Sequence, residues 1–236
     1  MRFRIAFAAA AAIVAAPLGH RAGVLPLSAA VPLLAAGVLL SLGSLAPWLT
    51  AIMRRGRLAF RDRREVATGL LSAIAVVVPL AYILPALGAP PIHDITTDPD
   101  DPPRFEAVVP LRAGAPNPLE YGGPQLAATQ RAAYPDVLPL AAAASPTTVL
   151  AAARSVAMEL GWEIVAVDQA QGLLEATATT FWFGFKDDVA VRVRPSEGGG
   201  ALVDVRSISR VGVGDLGANA NRIRAFLTRL QAALAR

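Results

Sequence analysis

The chain contains no cysteine and only two histidines, His20 and His93, in 236 residues. The first absence removes disulfides, thiolate metal sites and cysteine nucleophiles. The second leaves a histidine zinc site or a serine–histidine triad dependent on two residues outside the regularly patterned stretches. Lysine is almost missing as well: Lys186 is the single one, so the basic charge is nearly all arginine. Charged residues make up only 17% of the chain against 54% hydrophobic, with a mean hydropathy of +0.48. That is too apolar for one ordinary soluble domain.

Charge is also unevenly placed. The formal balance is +7 up to Ala89 and −3 from Pro90 onward. The sequence pI near 10.3 therefore does not point to nucleic acid, because the basic excess sits beside apolar runs and not on a globular region. No nucleic-acid partner is expected; the lipid bilayer is.

Three apolar segments account for residues 1–89, near 3–18, 27–49 and 66–87. The first, behind Arg2 and Arg4, fits a short transmembrane helix or a signal peptide ending near Ala15 and Ala16. The second holds ten Leu or Val residues between Leu27 and Leu49, together favouring insertion by roughly 3 to 6 kcal/mol. Pro79 and Pro85 are expected to kink or end the third. Between the second and third lies MRRGRLAFRDRRE, with Arg54, Arg55, Arg57, Arg61, Arg63 and Arg64. The positive-inside rule places that loop in the cytoplasm and the C-terminal region outside.

From Pro90 the texture changes to PPIHDITTDPDDPPRF, which reads as an extended, solvated linker over 90–104. Its aspartates lack the glycine and terminal glutamate of a calcium loop. The domain proper is expected at 105–236. Phe105–Leu111 reads as a short strand, and the Pro- and Gly-punctuated stretch after it as surface wrapping with at most a turn or two of helix.

Ser145-Pro146 is an N-cap followed by proline in the first helical position, and Gly161 stops that helix. Residues 162–168, 172–180, 188–194 and 201–211 alternate as strands, and a helix over about 218–235 closes the chain with Ile223, Phe226, Leu227, Leu230 and Leu234 in one stripe. The expected fold is α+β: transmembrane helices, then a two-layer domain with a four-stranded antiparallel meander and two covering helices.

Candidate functional residues concentrate in TTFWFGFKDDVAVRVRP and the turn VGVGDLGANANR. Trp182, Lys186, Asp187, Asp188, Arg206, Ser209, Arg210, Asp215 and Asn219 crowd one end of the sheet. Arg192, Arg194, Asp204, Arg206 and Arg210 share the face opposite the valines, as cross-strand ion pairs on a solvated sheet or as a fork for carboxylate or phosphate. Asp187 and Asp188 are neighbours on a strand and so face opposite ways, which argues against a paired acid and base. Asp215 or Asn219 suits the N-cap of the last helix. No catalytic residue, cofactor or metal ligand is indicated.

The blocks PPIHDITTD, YGG, AAYPD, GWEIV, ATATTFWFGFKDDVAVRVRP and VDVRSISRVGVGDLGANANRIRAFL, taken in series, resemble the domain-of-unknown-function family 1499 over about Pro90 to Leu230. The resemblance implies membrane segments ahead of the domain and no activity. The expectation is a multi-pass protein of the bacterial inner membrane whose periplasmic domain binds an anionic ligand or an envelope protein. The alternative is a hydrolase of envelope material using the Asp and Ser residues of the same region.

Overall fold

In the computed structural model residues 2–56 and 62–235 are described, and they form two compact units. The first holds α1 (Arg2–Arg21), α2 (Leu27–Arg55) and α3 (Arg63–Ile83), each long and apolar enough to cross a membrane. Small residues let these helices approach. A Cβ on Gly69 of α3 would stand 2.0 Å from the Trp48 ring, and one on Gly37 of α2 would meet Ile13 and the Ala9 carbonyl. Pro79 lies inside α3, not at its end, and Pro85 falls in the 3₁₀ turn Leu84–Ala86 that follows. Asp62 caps α3 by accepting from the Arg64 N–H at 2.8 Å. Of the basic loop, Arg57 and Arg61 lie outside the described residues.

The second unit is built on an antiparallel sheet of six strands, two more than the sequence pattern discloses. The meander is β3 (Glu163–Asp168), β4 (Leu173–Thr179), β5 (Lys186–Pro195) and β6 (Ala201–Ser209). Two three-residue strands, β1 (Asp94–Thr96) and β2 (Leu140–Ala142), pair with the far side of β6. Both are too short to show alternation. The spatial order is β1-β6-β5-β4-β3 with β2 also on β6, so among the described residues β3 is an edge that pairs with β4 alone.

One face of the sheet carries α5 (Pro146–Glu159) and α6 (Ala218–Leu234). Strand alternation sends Leu174, Ala176, Val189, Val191, Val193, Val203 and Val205 to that side, where they meet Val149, Ala153, Val156, Ile223, Phe226 and Leu230. Trp162 stacks on Phe226 with ring centroids 5.1 Å apart. Fully burying each such large side chain contributes about 1.5–3 kcal/mol. The N-cap of α5 is Ser145, as its sequence predicts, accepting from the Thr148 N–H at 3.3 Å.

The opposite face corrects the sequence reading of a solvated polar surface. Residues 97–122 run across it as an irregular strap, tied by side-chain hydrogen bonds to β4, β5 and β6. Within it no strand forms over 105–111; Val109–Arg112 is a 3₁₀ turn. The stretch read as a solvated linker over 90–104 is partly interior, with Asp94, Thr96 and Thr97 at most 3% exposed. Asp94, Asp98 and Asp101 meet arginines of the sheet, whereas Asp100 pairs at the surface with Arg131. After the strap, α4 (Gly123–Ala133) makes three turns where a turn or two was expected. Its Gln130 is buried and brackets β1, accepting from the Thr96 N–H at 2.9 Å and donating to the Thr96 carbonyl at 2.6 Å.

Candidate functional site

Three arginine–carboxylate groups lie between the sheet and the strap. Asp188, fully buried on β5, accepts from Arg112 Nη1 at 2.6 Å, from Arg210 Nε at 3.0 Å and Nη2 at 2.8 Å, and from Thr177 Oγ1 at 2.8 Å. Burial alone would raise this carboxyl, but the hydrogen bonds from Arg210, Arg112 and Thr177 together outweigh it and hold it below the ordinary carboxylate range. Arg112 also donates to the Asn117 carbonyl, and Arg210 to that of Leu111.

Arg206 makes a two-pronged fork with Asp94, Nε to Oδ1 at 2.9 Å and Nη2 to Oδ2 at 2.7 Å. It donates further to the Leu119 carbonyl at 2.6 Å. Its guanidinium carbon lies 5.2 Å from the centroid of Phe105 and 5.5 Å from that of Tyr121, within cation–π range. Burial, and then the Asp94 charge, push the Tyr121 hydroxyl up to about 12. The third group gathers Arg192 and Arg194 on Asp204, with Asp98 and Asp101 of the strap closing over them. Beside these, Glu175 on β4 accepts from three successive strap N–H groups, those of Glu106, Ala107 and Val108.

The helix-facing side has its own polar patch. Asp187 points there, opposite to Asp188 as strand alternation requires, and pairs with Arg222 of α6. Asn219, wholly buried, accepts from Ser207 Oγ at 2.7 Å and from Arg222, and donates to Ser209 Oγ at 2.9 Å and to the His93 carbonyl at 3.0 Å. Asn219 is thus a core residue of α6 and not its cap. Gly217, in left-handed conformation with φ 82°, occupies the N-cap position. Asp215 performs the capping chemistry by accepting from the N–H groups of Gly217 at 2.8 Å and Asn219 at 2.7 Å. Burial raises the Asp215 carboxyl above its ordinary value despite these bonds.

The nine sequence candidates therefore divide. Asp188, Arg206 and Arg210 lie on the strap side, and Asp187, Ser209 and Asn219 on the helix side, with Asp215 at the start of α6. Lys186 is exposed at the start of β5. Trp182 sits in the segment Phe181–Gly184, which groups with the helical unit, 5.4 Å from Tyr82 between ring centroids. Sequence reasoning missed Asp94, Arg112, Glu175, Asn117 and Arg222. Glu175 carried a usable signal, an acidic residue inside an otherwise apolar strand. Arg112 and Asn117 lie in irregular chain with no periodicity.

Among the described residues, no group of three or more histidine, aspartate or glutamate side chains is placed to hold a metal ion. Beside α5 an open cleft of about 300 Å³ is lined by Leu150, Arg154, Val167 and Gly172, away from all nine candidates. Compared with known proteins, residues 94–230 match the model of a family described as a protein of unknown function, DUF1499. No curated protein matches the chain.

Proposed function

The chain belongs to the DUF1499 family of proteins of unknown function, and we propose that it is a membrane-anchored binding protein and not an enzyme. In this reading it is a multi-pass protein of the bacterial inner membrane whose sheet domain lies on the periplasmic side and binds a protein partner of the envelope. The periplasmic placement is supported by the arginine-rich stretch between the second and third apolar segments.

One observation carries the binding reading: Asp187, Asp188, Arg206 and Arg210 are each already paired with an opposite charge inside the fold. A hydrolase would need at least two of Asp187, Asp188, Asp215 and Ser209 to converge on one substrate. Asp187, Ser209 and Asp215 do share the helix side, but each is already engaged there, Asp187 by Arg222, Ser209 by Asn219 and Asp215 by the N–H groups of Gly217 and Asn219, while Asp188 faces the other way between Arg112 and Arg210. An anionic ligand at Arg206 or Arg210 would have to displace Asp94 or Asp188 from a buried fork, which costs several kcal/mol by order of magnitude. Docking therefore falls to surface outside these groups. The edge of β3, which among the described residues pairs with no strand but β4, is the site that an extended partner segment would join.

The test uses the full chain in its native membrane. A photocrosslinking residue at Val165 on β3 is expected to give a discrete protein adduct that Val165→Lys at the unlabelled copy competes for poorly. Adducts that form equally well from Lys186, or a hydrolytic activity lost in Asp188→Asn without loss of folding, would count against the proposal.

A further inference from the structure

The arginine-rich end of the helical unit encloses an open cavity of about 630 Å³, within the size range of small-molecule sites, about 300–1,000 Å³. We propose that it binds the phosphate of an anionic glycerophospholipid. This rests on the reading of α1, α2 and α3 as membrane-spanning.

Charge comes from Arg2 and Arg4 at the start of α1 and Arg64 at the start of α3. The N-termini of both helices open at this end, so their partial positive charge adds to that of the side chains. Two carboxylates, Asp62 and Glu65, also line the space. Three arginines against two carboxylates leave the lining with one net positive charge, which favours a singly charged phosphodiester over a headgroup carrying its own ammonium. Guanidinium groups suit phosphate oxygens because they present paired donors in one plane.

The remaining wall explains why the occupant is an amphiphile and not free phosphate. Pro47, Trp48 and Ala51 of α2 and Phe3 of α1 form an apolar side. The polar groups of Ser44 and Thr68, 7% and 6% exposed, lie deeper between α2 and α3. A lipid can place its phosphate among the arginines while its glycerol and first methylenes follow the apolar side, at the depth where basic pockets between helices engage headgroups.

The experiment takes the full chain in non-ionic detergent and follows binding by native mass spectrometry. The probes are dioctanoyl phosphatidylglycerol, dioctanoyl phosphatidylcholine and inorganic phosphate. Phosphatidylglycerol is expected to bind at least about tenfold more tightly than phosphatidylcholine. Arg64→Gln should weaken it about tenfold, and Ser44→Phe, which fills the space without changing charge, should do the same. Equal affinity for the two lipids, or a preference that survives both variants, overturns the proposal. Inorganic phosphate binding as tightly as phosphatidylglycerol overturns the lipid assignment. Alkaline carbonate extraction runs alongside: release of the wild-type chain from membranes overturns the spanning reading too, whereas retention without lipid preference overturns the pocket alone.

Discussion

Replacing Asp188 by Asn tests whether the buried arginine–carboxylate groups hold the sheet domain together. The substitution keeps the shape and removes the charge that faces Arg112 and Arg210. Leaving a buried charge without its partner generally costs about 3–5 kcal/mol. Here both guanidiniums keep a second acceptor, the carbonyls of Asn117 and Leu111, and Arg210 has 14% of its side chain in contact with solvent. The lower end, about 3 kcal/mol, is therefore expected. For a unit of this size, that lowers the midpoint by roughly 10 °C. Hydrogen exchange on β5 and β6 peptides of the full chain, in detergent, reads this unit separately from the helices. Asp136→Asn is the control: its pair with Arg224 is exposed, and exposed pairs contribute about 0–1 kcal/mol. If both variants protect β5 and β6 to within about 1 kcal/mol of each other, the strap–sheet groups do not stabilise the domain as argued.

Two more outcomes follow from the same geometry. Asp188 is held below the ordinary carboxylate value in the folded state, so its contribution is complete above about pH 4 and is lost as pH falls through its folded value. Asp215 is raised by burial, so its contribution runs the other way and is lost as pH rises through its folded value. Stability measured from pH 6 to pH 2.5 should fall less steeply in Asp188→Asn and more steeply in Asp215→Asn than in the wild type. Slopes that move together would contradict the assignment. Tyr121→Phe is expected to leave stability unchanged or slightly higher, because the hydroxyl is buried without a hydrogen-bond partner among the described residues while the ring over Arg206 is retained. Tyr121→Ala should cost about 1–2 kcal/mol or more through the lost ring. A Phe variant as damaged as the Ala variant would show that the hydroxyl is bonded.

The meander, the two covering helices and the apolar spans were legible because each repeats a period long enough to read. The Val189, Val191, Val193 alternation and the Ile223, Phe226, Leu230 stripe both survive in the structure. What could not be read has no period. Asp94 looks like one more linker aspartate, yet it is the acid for Arg206 across 112 residues of chain. β1 and β2 are three residues each and gain their stability from β6, not from their own sequence. The aspartate–arginine surface reads from the sheet alone as solvated, because nothing local announces that residues 97–122 lie over it.

That strap also gives a physical reason for arginine and not lysine at four positions of this domain. Arg112, Arg192, Arg206 and Arg210 each do two things at once: they pair with a carboxylate, and they donate to a backbone carbonyl of the strap, at Asn117, Asp101, Leu119 and Leu111 respectively. A strap without regular structure leaves its carbonyls short of partners, and a buried carbonyl without one is costly. An ammonium group is a compact, strongly hydrated point charge, and its desolvation would be harder to offset here. The guanidinium presents five donors in a fixed plane, enough to engage an acid and a carbonyl together. These arginines, Arg112 from within the strap and Arg192, Arg206 and Arg210 from the sheet side, therefore act as the hydrogen-bonding partners that the strap lacks, which is why so few of their donors are left over for a ligand.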